Sequence, residues 1–245
     1  MYSGRTYNTY LRVVDNSSGA AGWTSKGTYT VNRAPLVGII TPSTGSGQIN
    51  SAQTFTTTYT DLDGWQNLQQ VYLLINSSTG TTNCFYGYYN QNTNLLYLRN
   101  DVNTAWLGGY APGSNNTIEN SYAKLNCASI SISGTSTALS VNWSVTLKAP
   151  FTGSRNTYLY ARDDVNATNG WTQKGTWSIP NIAPILGTIS PNTGASAPEA
   201  TVSFTTTYAD SNTWLNIQYV YLLINTSTSG VNCFYGYYNQ NNNRL

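Results

Sequence analysis

The chain has no histidine, a single methionine, and charged residues at only 8% of its 245 positions. An average soluble protein carries about 25%. Without histidine the commonest general base is missing, and serine–histidine and cysteine–histidine catalytic arrangements are excluded. The lack of histidine, together with the lack of any Cys-x-x-Cys, also removes the usual zinc sites. Glutamate occurs only at Glu119 and Glu199, and no glycine-rich phosphate motif stands in a strand-to-helix context. Eleven lysines and arginines against nine acidic residues give a net charge of +2 with no basic run, so nothing marks a nucleic-acid binder. No apolar run approaches the ~18 residues of a membrane-spanning helix.

What is present is aromatic and β-branched. Forty per cent of the residues are apolar, with 20 tyrosines and seven tryptophans, which supplies ample surface to bury and argues against disorder. These residues come in short runs rich in Val, Ile, Tyr, Trp and Thr, which suit a pleated surface. The chain reads as all-β.

Self-comparison gives the clearest organisation. The ten residues from Asn83 to Asn92 recur unchanged from Asn232 to Asn241, an offset of 149 positions. Val71–Asn76 recurs at Val220–Asn225, and Phe55–Tyr59 at Phe204–Tyr208, at the same offset. Near the start, Asn8-Thr9-Tyr10-Leu11 matches Asn156-Thr157-Tyr158-Leu159, and Gly22-Trp23-Thr24 matches Gly170-Trp171-Thr172, both at offset 148. With Ala34-Pro35 and Ala183-Pro184 as boundaries, residues 1–32 read as the last strands of one copy. Residues 33–181 then form a complete copy and 182–245 the opening strands of a third. Tyr-Ser-Gly-Arg after Met1 is not a secretory leader, and the expectation is a chain cut from a longer array.

Within the complete copy, strands are predicted at 36–40, 54–60, 68–75, 84–89, 95–98, 124–133, 141–148, 157–161 and 171–179. Residues 100–122 read as an insertion without strand signals. Val141 to Lys148 alternates without a fault, placing Val141, Trp143, Val145 and Leu147 on a core face and Asn142, Ser144 and Thr146 outward. Such spacing suggests an immunoglobulin-like β-sandwich with extra strands, repeated about every 149 residues.

The order Pro42…Gly45, Thr54-Phe55…Tyr59…Asp61…Gly64, Val71…Ile75-Asn76, Cys84…Tyr86, Leu96-Tyr97-Leu98…Asn100-Asp101…Trp106-Leu107-Gly108 and Cys127 resembles an immunoglobulin-like repeat of large secreted or surface proteins of bacteria. The resemblance covers most of one copy and implies an exported, multi-copy architecture. It implies no catalytic chemistry. The third copy departs from it, reading Asp210-Ser211-Asn212 where the second reads Asp61-Leu62-Asp63.

Cys84 and Cys127 fall in one copy, and Cys233 is the counterpart of Cys84. A Cys84–Cys127 disulfide is expected, stabilising by about 3–4 kcal/mol; the alternative is two separate buried thiols. Loop aspartates Asp15, Asp61, Asp63, Asp163 and Asp164 are weak candidates for calcium, and equally common turn residues. In Phe85–Tyr89, alternation sets Phe85 and Tyr89 against Tyr86 and Tyr88. The second pair covers a sheet face or, with Asn90 and Gln91, offers an aromatic platform to a glycan. N-glycosylation sequons stand at Asn16, Asn76, Asn115, Asn142, Asn166 and Asn225.

The expected function is therefore non-catalytic and without cofactor: a structural unit of an extracellular filament, stalk or adhesin whose partners are neighbouring repeats or copies of itself. The alternative is a carbohydrate-binding accessory module using the tyrosine-rich strands.

Overall fold

The computed structural model describes residues 6–245. Strands dominate, and among the described residues every helical element is a single three-residue 3₁₀ turn. The chain divides into two compact units, residues 1–179 and 180–245.

The first unit opens with a two-stranded hairpin of β1 (Thr6–Val14) and β2 (Ala20–Thr30). Two larger sheets follow. One runs β3 (Leu36–Thr41), β5 (Ala52–Thr60), β13 (Ala138–Leu147), β11 (Ala123–Asn126) and β10 (Thr117–Glu119), with β12 (Ser131–Thr135) also on β13. The other runs β4 (Thr44–Ser46), β15 (Thr172–Ile179), β14 (Gly153–Asp163), β6 (Leu68–Asn76), β7 (Phe85–Asn90), β8 (Leu95–Arg99) and β9 (Trp106–Tyr110). Pairing is antiparallel throughout except between β4 and β15, which run parallel. Both sheets feed one apolar cluster, giving a sandwich-like pair of layers. The first contributes Phe55, Tyr59, Val141 and Trp143, the second Leu73, Ile75, Phe85, Leu98, Leu159 and Trp177.

The alternation of β13 has its expected result. Val141, Trp143, Val145 and Leu147 are all buried, each side chain contributing roughly 1.5–3 kcal/mol. Ser144, placed outward by sequence, is buried as well, whereas Asn142 and Thr146 are half-buried. Strand β6 is covered on both faces, with Val71, Leu73 and Ile75 in the main core and Leu74 in a second small cluster on the opposite side.

Residues 100–122 are not devoid of strands: they contain β9 and β10. The signal was hidden by Gly108 and Gly109, whose φ values of +107° and +87° favour glycine. A side chain at Gly108 would also meet Ile118 Cδ1 at 2.4 Å. The single strand expected at 124–133 is two strands, separated by the turn Cys127–Ser129, where Asn126 accepts a hydrogen bond from the Ala128 N–H at 3.2 Å.

The second unit contains two hairpins, β16 (Ile185–Ser190) with β17 (Thr205–Ala209), and β18 (Tyr219–Ile224) with β19 (Phe234–Asn239). Their registers repeat those of the first unit displaced by 149 positions. Ile75 pairs Phe85 and Ile224 pairs Phe234; Val37 pairs Tyr59 and Leu186 pairs Tyr208. The β1–β2 hairpin repeats β14–β15 at a displacement of 148 positions, including the bulge beside Thr9 and Thr157.

Candidate functional site

Period-two geometry sends alternate residues of the seven-stranded sheet away from the core. On β6 and β7 these are Tyr72, Tyr86 and Tyr88. Neighbouring strands add Tyr97 from β8, Trp106 from β9 and Tyr160 from β14, with Trp171 just before β15. The seven rings form one continuous slab. Tyr88 lies stacked on Tyr97 (centroids 4.7 Å apart) and edge-on to Trp106 at 4.5 Å. Tyr86 meets Trp106 at 4.9 Å and Trp171 at 5.5 Å, both edge-to-face. Tyr72 meets Tyr88 and Tyr160 at 5.2 Å each. Offset and edge-on contacts of this kind suit the ring quadrupole. At one border the Arg99 guanidinium lies 4.7 Å from the Trp106 centroid while donating to Asn103 at 2.6 and 2.9 Å.

This face is apolar enough to hold its phenols neutral. Burial, above all other causes, pushes Tyr86 and Tyr88 up to about 12, and raises Tyr72 further. Tyr72 and Tyr88 are buried under their neighbours, whereas Tyr86, Tyr97, Tyr160, Trp106 and Trp171 remain half-exposed. Of the residues singled out by sequence, the structure brings together Tyr86 and Tyr88. Asn90 ends β7 and, with Gln91, builds the following turn: Asn90 Oδ1 accepts from Thr93 N–H at 3.2 Å and Gln91 N–H donates to Gln69 O at 2.9 Å. Sequence reasoning missed Tyr72, Tyr97, Trp106, Tyr160 and Trp171 because they are spread over four strands and a loop. The alternation of Tyr72 with Leu74, and of Tyr158 with Tyr160, held part of that signal.

A polar cluster gathers the acidic candidates. Asp61 and Asp163 are buried, and Asp163 accepts from Asn32 in the segment joining β2 to β3. Asn32 Nδ2 donates to Asp163 Oδ2 at 2.7 Å, and Asn67 Nδ2 reaches Asn32 Oδ1 at 3.0 Å and Asp61 Oδ2 at 3.2 Å. Asp63 forms an ion pair with Arg33 at 3.0 Å. Asp163 Oδ1 accepts from the Val165 and Ala167 N–H groups. Burial raises the Asp61 carboxyl above its ordinary range, with Asp63 and Asp163 adding smaller like-charge effects. These oxygens are thus occupied by N–H donors, as in turns, and no group of three metal-binding side chains occurs among the described residues. Asp164 lies apart, accepting from Asn92 at 2.7 Å, and Asp15 closes the β1–β2 turn. The second unit repeats the arrangement: Asn216 Nδ2 donates to Asn181 Oδ1 at 2.7 Å and Asp210 Oδ2 at 3.3 Å.

The expected Cys84–Cys127 bridge is not formed; both are free, buried thiols. They pack in different clusters, Cys84 with Leu74 and Tyr158, Cys127 in the main core, which accounts for their separation. Burial pushes the Cys84 thiol up to about 12 and raises that of Cys127, so both are poor nucleophiles. Asn16, Asn115, Asn166 and Asn225 are exposed. Asn76 and Asn225 each donate from the amide into the loop that follows, to Gly80 O and Ser229 O. The Asn142 amide is held by Ser131 at 2.8 Å.

No known family and no curated protein matches the chain.

Proposed function

We propose that the chain belongs to a tandem array of immunoglobulin-like sandwiches and serves as a non-catalytic structural unit of an extracellular filament, stalk or adhesin. The observation that carries this reading is the recurrence of whole strand registers at a fixed displacement. β18–β19 reproduces β6–β7 pair for pair, and β16–β17 reproduces β3–β5. Local details recur with it: Asn83 and Asn232 share φ +54°, and Asn94 and Asn243 adopt +55° and +53°. Repetition at this level is how stiff, extended molecules are built. The extracellular placement rests on the family resemblance and on a surface kept soluble by Thr, Ser and Asn rather than by charge. The absence of a bridge means that cysteine usage adds nothing to it.

The test is immunolabelling of intact cells of the source organism, with electron microscopy of the full-length protein. Surface label and beads spaced by roughly 4 nm, the size of a domain of this length, are expected. Label confined to the cell interior overturns the reading.

One observation favours a second reading, binding of carbohydrate. The slab of seven rings is continuous and bordered by Arg99, and half-exposed tryptophans suit the apolar face of a sugar. A glycan array with the Trp106→Ala and Trp171→Ala variants decides it. Binding lost in both variants supports the platform; no binding by the parent chain leaves the slab as packing.

A further inference from the structure

We propose that the aromatic face of the seven-stranded sheet binds an acidic polysaccharide, one whose sugars carry carboxylates, and holds it through Arg99 and Arg162. This rests on the carbohydrate reading of the slab and names the class of sugar the slab would take.

The rings are laid out as a track. Tyr160, Tyr72, Tyr88 and Tyr97 stand opposite one another on β14, β6, β7 and β8, so one row of phenols crosses four strands. With neighbouring strands ~4.8 Å apart, the row is about 14 Å wide. That exceeds one sugar and suits a chain of several. Arg162 follows Tyr160 by two residues and Arg99 follows Tyr97 by two, which puts both arginines on the face of the rings. The three pairings from β14 to β8 are all antiparallel, so β14 and β8 run in opposite directions. The arginines therefore start from diagonally opposite corners of the row. The positive charge of each is nevertheless felt at Tyr88, in the middle of it.

Both guanidiniums have donors to offer. Arg99 gives Nε and Nη2 to Asn103, at 2.6 and 2.9 Å, leaving Nη1 without a partner among the described residues. Arg162 Nη2 donates to Gln69 Oε1, while its Nε is buried and has no partner. A charged donor left unpaired in a buried place is unfavourable, and a planar carboxylate, which accepts two N–H bonds from one guanidinium, is the group that fits it.

The rest of the face does not oppose an anion. The seven strands carry one acid, Asp163, which is buried beside Asn32. Asp101 and Asp164 stand in the loops beyond β8 and β14, where they accept from the Ser121 N–H at 3.0 Å and from Asn92 at 2.7 Å. Burial keeps Tyr86 and Tyr88 protonated, so they present hydroxyls without charge. Arg155 is engaged with the Phe151 ring and Lys174 with the Val37 carbonyl, which leaves Arg99 and Arg162 to meet the ligand. The platform also recurs, with Tyr221, Tyr235 and Tyr237 placed 149 positions after Tyr72, Tyr86 and Tyr88. Tyr221 lies stacked on Tyr235 at 5.9 Å and 5.7 Å from Tyr237. A long repeating polymer can engage such faces in series.

The test is calorimetric titration of the 245-residue chain with polygalacturonate, alginate and hyaluronan, and with the carboxyl-reduced, uncharged form of each. At least one acid polymer should bind, and its reduced form about tenfold more weakly, as expected when a charge-assisted pair is lost. Arg99→Gln and Arg162→Gln should each weaken the acid polymer about fivefold or more and leave the reduced form unchanged. Trp171→Ala should weaken both forms. Circular dichroism checks the fold, and where Arg162→Gln does not fold, Arg99→Gln decides. No binding of any of the three acid polymers, equal binding of acid and reduced forms, or binding untouched by Arg99→Gln overturns the acidic class. Equal binding of both forms that is lost in Trp171→Ala still leaves the carbohydrate platform standing. Acid binding that survives Trp171→Ala and is matched by dextran sulfate is charge attraction elsewhere on the chain, and overturns both.

Discussion

Tyr59 on β5 reaches across the core to Tyr72 on β6, its phenol donating to the Tyr72 main-chain carbonyl at 2.8 Å. The bond ties one sheet to the other in a fully buried setting. Tyr208 repeats it onto Tyr221 at 2.7 Å in the second unit, where the phenol is exposed. Tyr59→Phe should therefore lower stability by about 1 kcal/mol, the usual net worth of a buried hydrogen bond, and Tyr208→Phe by less than about 0.5. Urea unfolding of the two variants checks the difference.

Trp143 is the largest fully buried side chain, and its indole N–H donates to the Thr57 hydroxyl at 2.8 Å. Trp143→Ala opens a cavity between the sheets and should cost about 3–5 kcal/mol. Trp143→Phe keeps much of the packing and loses the bond, so a smaller loss is expected. Thermal unfolding followed by circular dichroism would rank them.

Stability should be flat through neutral pH, since no histidine is present to titrate. It should fall on the alkaline side. Burial raises Tyr59, Tyr72, Tyr86 and Tyr88 above their ordinary value of 10, so the folded chain keeps protons that the unfolded chain releases. Raised values mean stability fully present below about pH 10 and lost progressively as pH climbs toward the folded values. Tyrosinate absorbance should accordingly lag in the folded protein, and appear together with unfolding. Normal titration of all tyrosines before unfolding would contradict the burial of the slab.

Thiol counting tests the separate cysteines. Under native conditions a thiol reagent should modify Cys233, which is half-exposed, and spare the buried Cys84 and Cys127. After unfolding without reductant, all three should react. One reactive thiol in the unfolded chain would mean that Cys84 and Cys127 are joined after all.

Much of the fold was legible because β strands that cover a core announce themselves by alternation. Val141 to Leu147 and Phe85 to Tyr89 sorted onto their faces from sequence alone. β4 was not legible: three residues including a glycine carry no period, and its parallel partner lies more than a hundred positions away. β9 was concealed by two glycines, Gly108 crowded by Ile118 and the Leu96 carbonyl and Gly109 held at positive φ. Ser144 shows the limit of the pattern, since alternation gives the face of a residue and not what covers that face. The aromatic slab was half visible for a related reason. Tyr86 and Tyr88 share a strand, but Trp106, Tyr160 and Trp171 join them only through sheet order, which no local pattern encodes. The disulfide expectation failed because the repeat told which cysteines share a copy, and not which side of the sheet each one faces.

The parallel pairing of β4 with β15 has a mechanical meaning. Thr44–Ser46 lies near the start of residues 33–181, the segment proposed as one copy, and Thr172–Ile179 near its end, and they meet at Thr44–Thr176, Gly45–Trp177 and Ser46–Ser178. Thr176 N–H donates to Ser43 O at 2.8 Å and Gly47 N–H to Ser178 O at 3.0 Å. Tension applied through the two ends of such a copy pulls these parallel strands past each other along their length. Every bond of the patch is then strained at once, instead of opening one after another as in a peeled hairpin. A side chain at Gly175 would stand 1.8 Å from the Ser43 carbonyl oxygen, so the patch closes only because that position is bare. Gly175→Ala should lower the force at which a stretched chain gives way, measured by pulling single molecules, and so turn a strut into a spring.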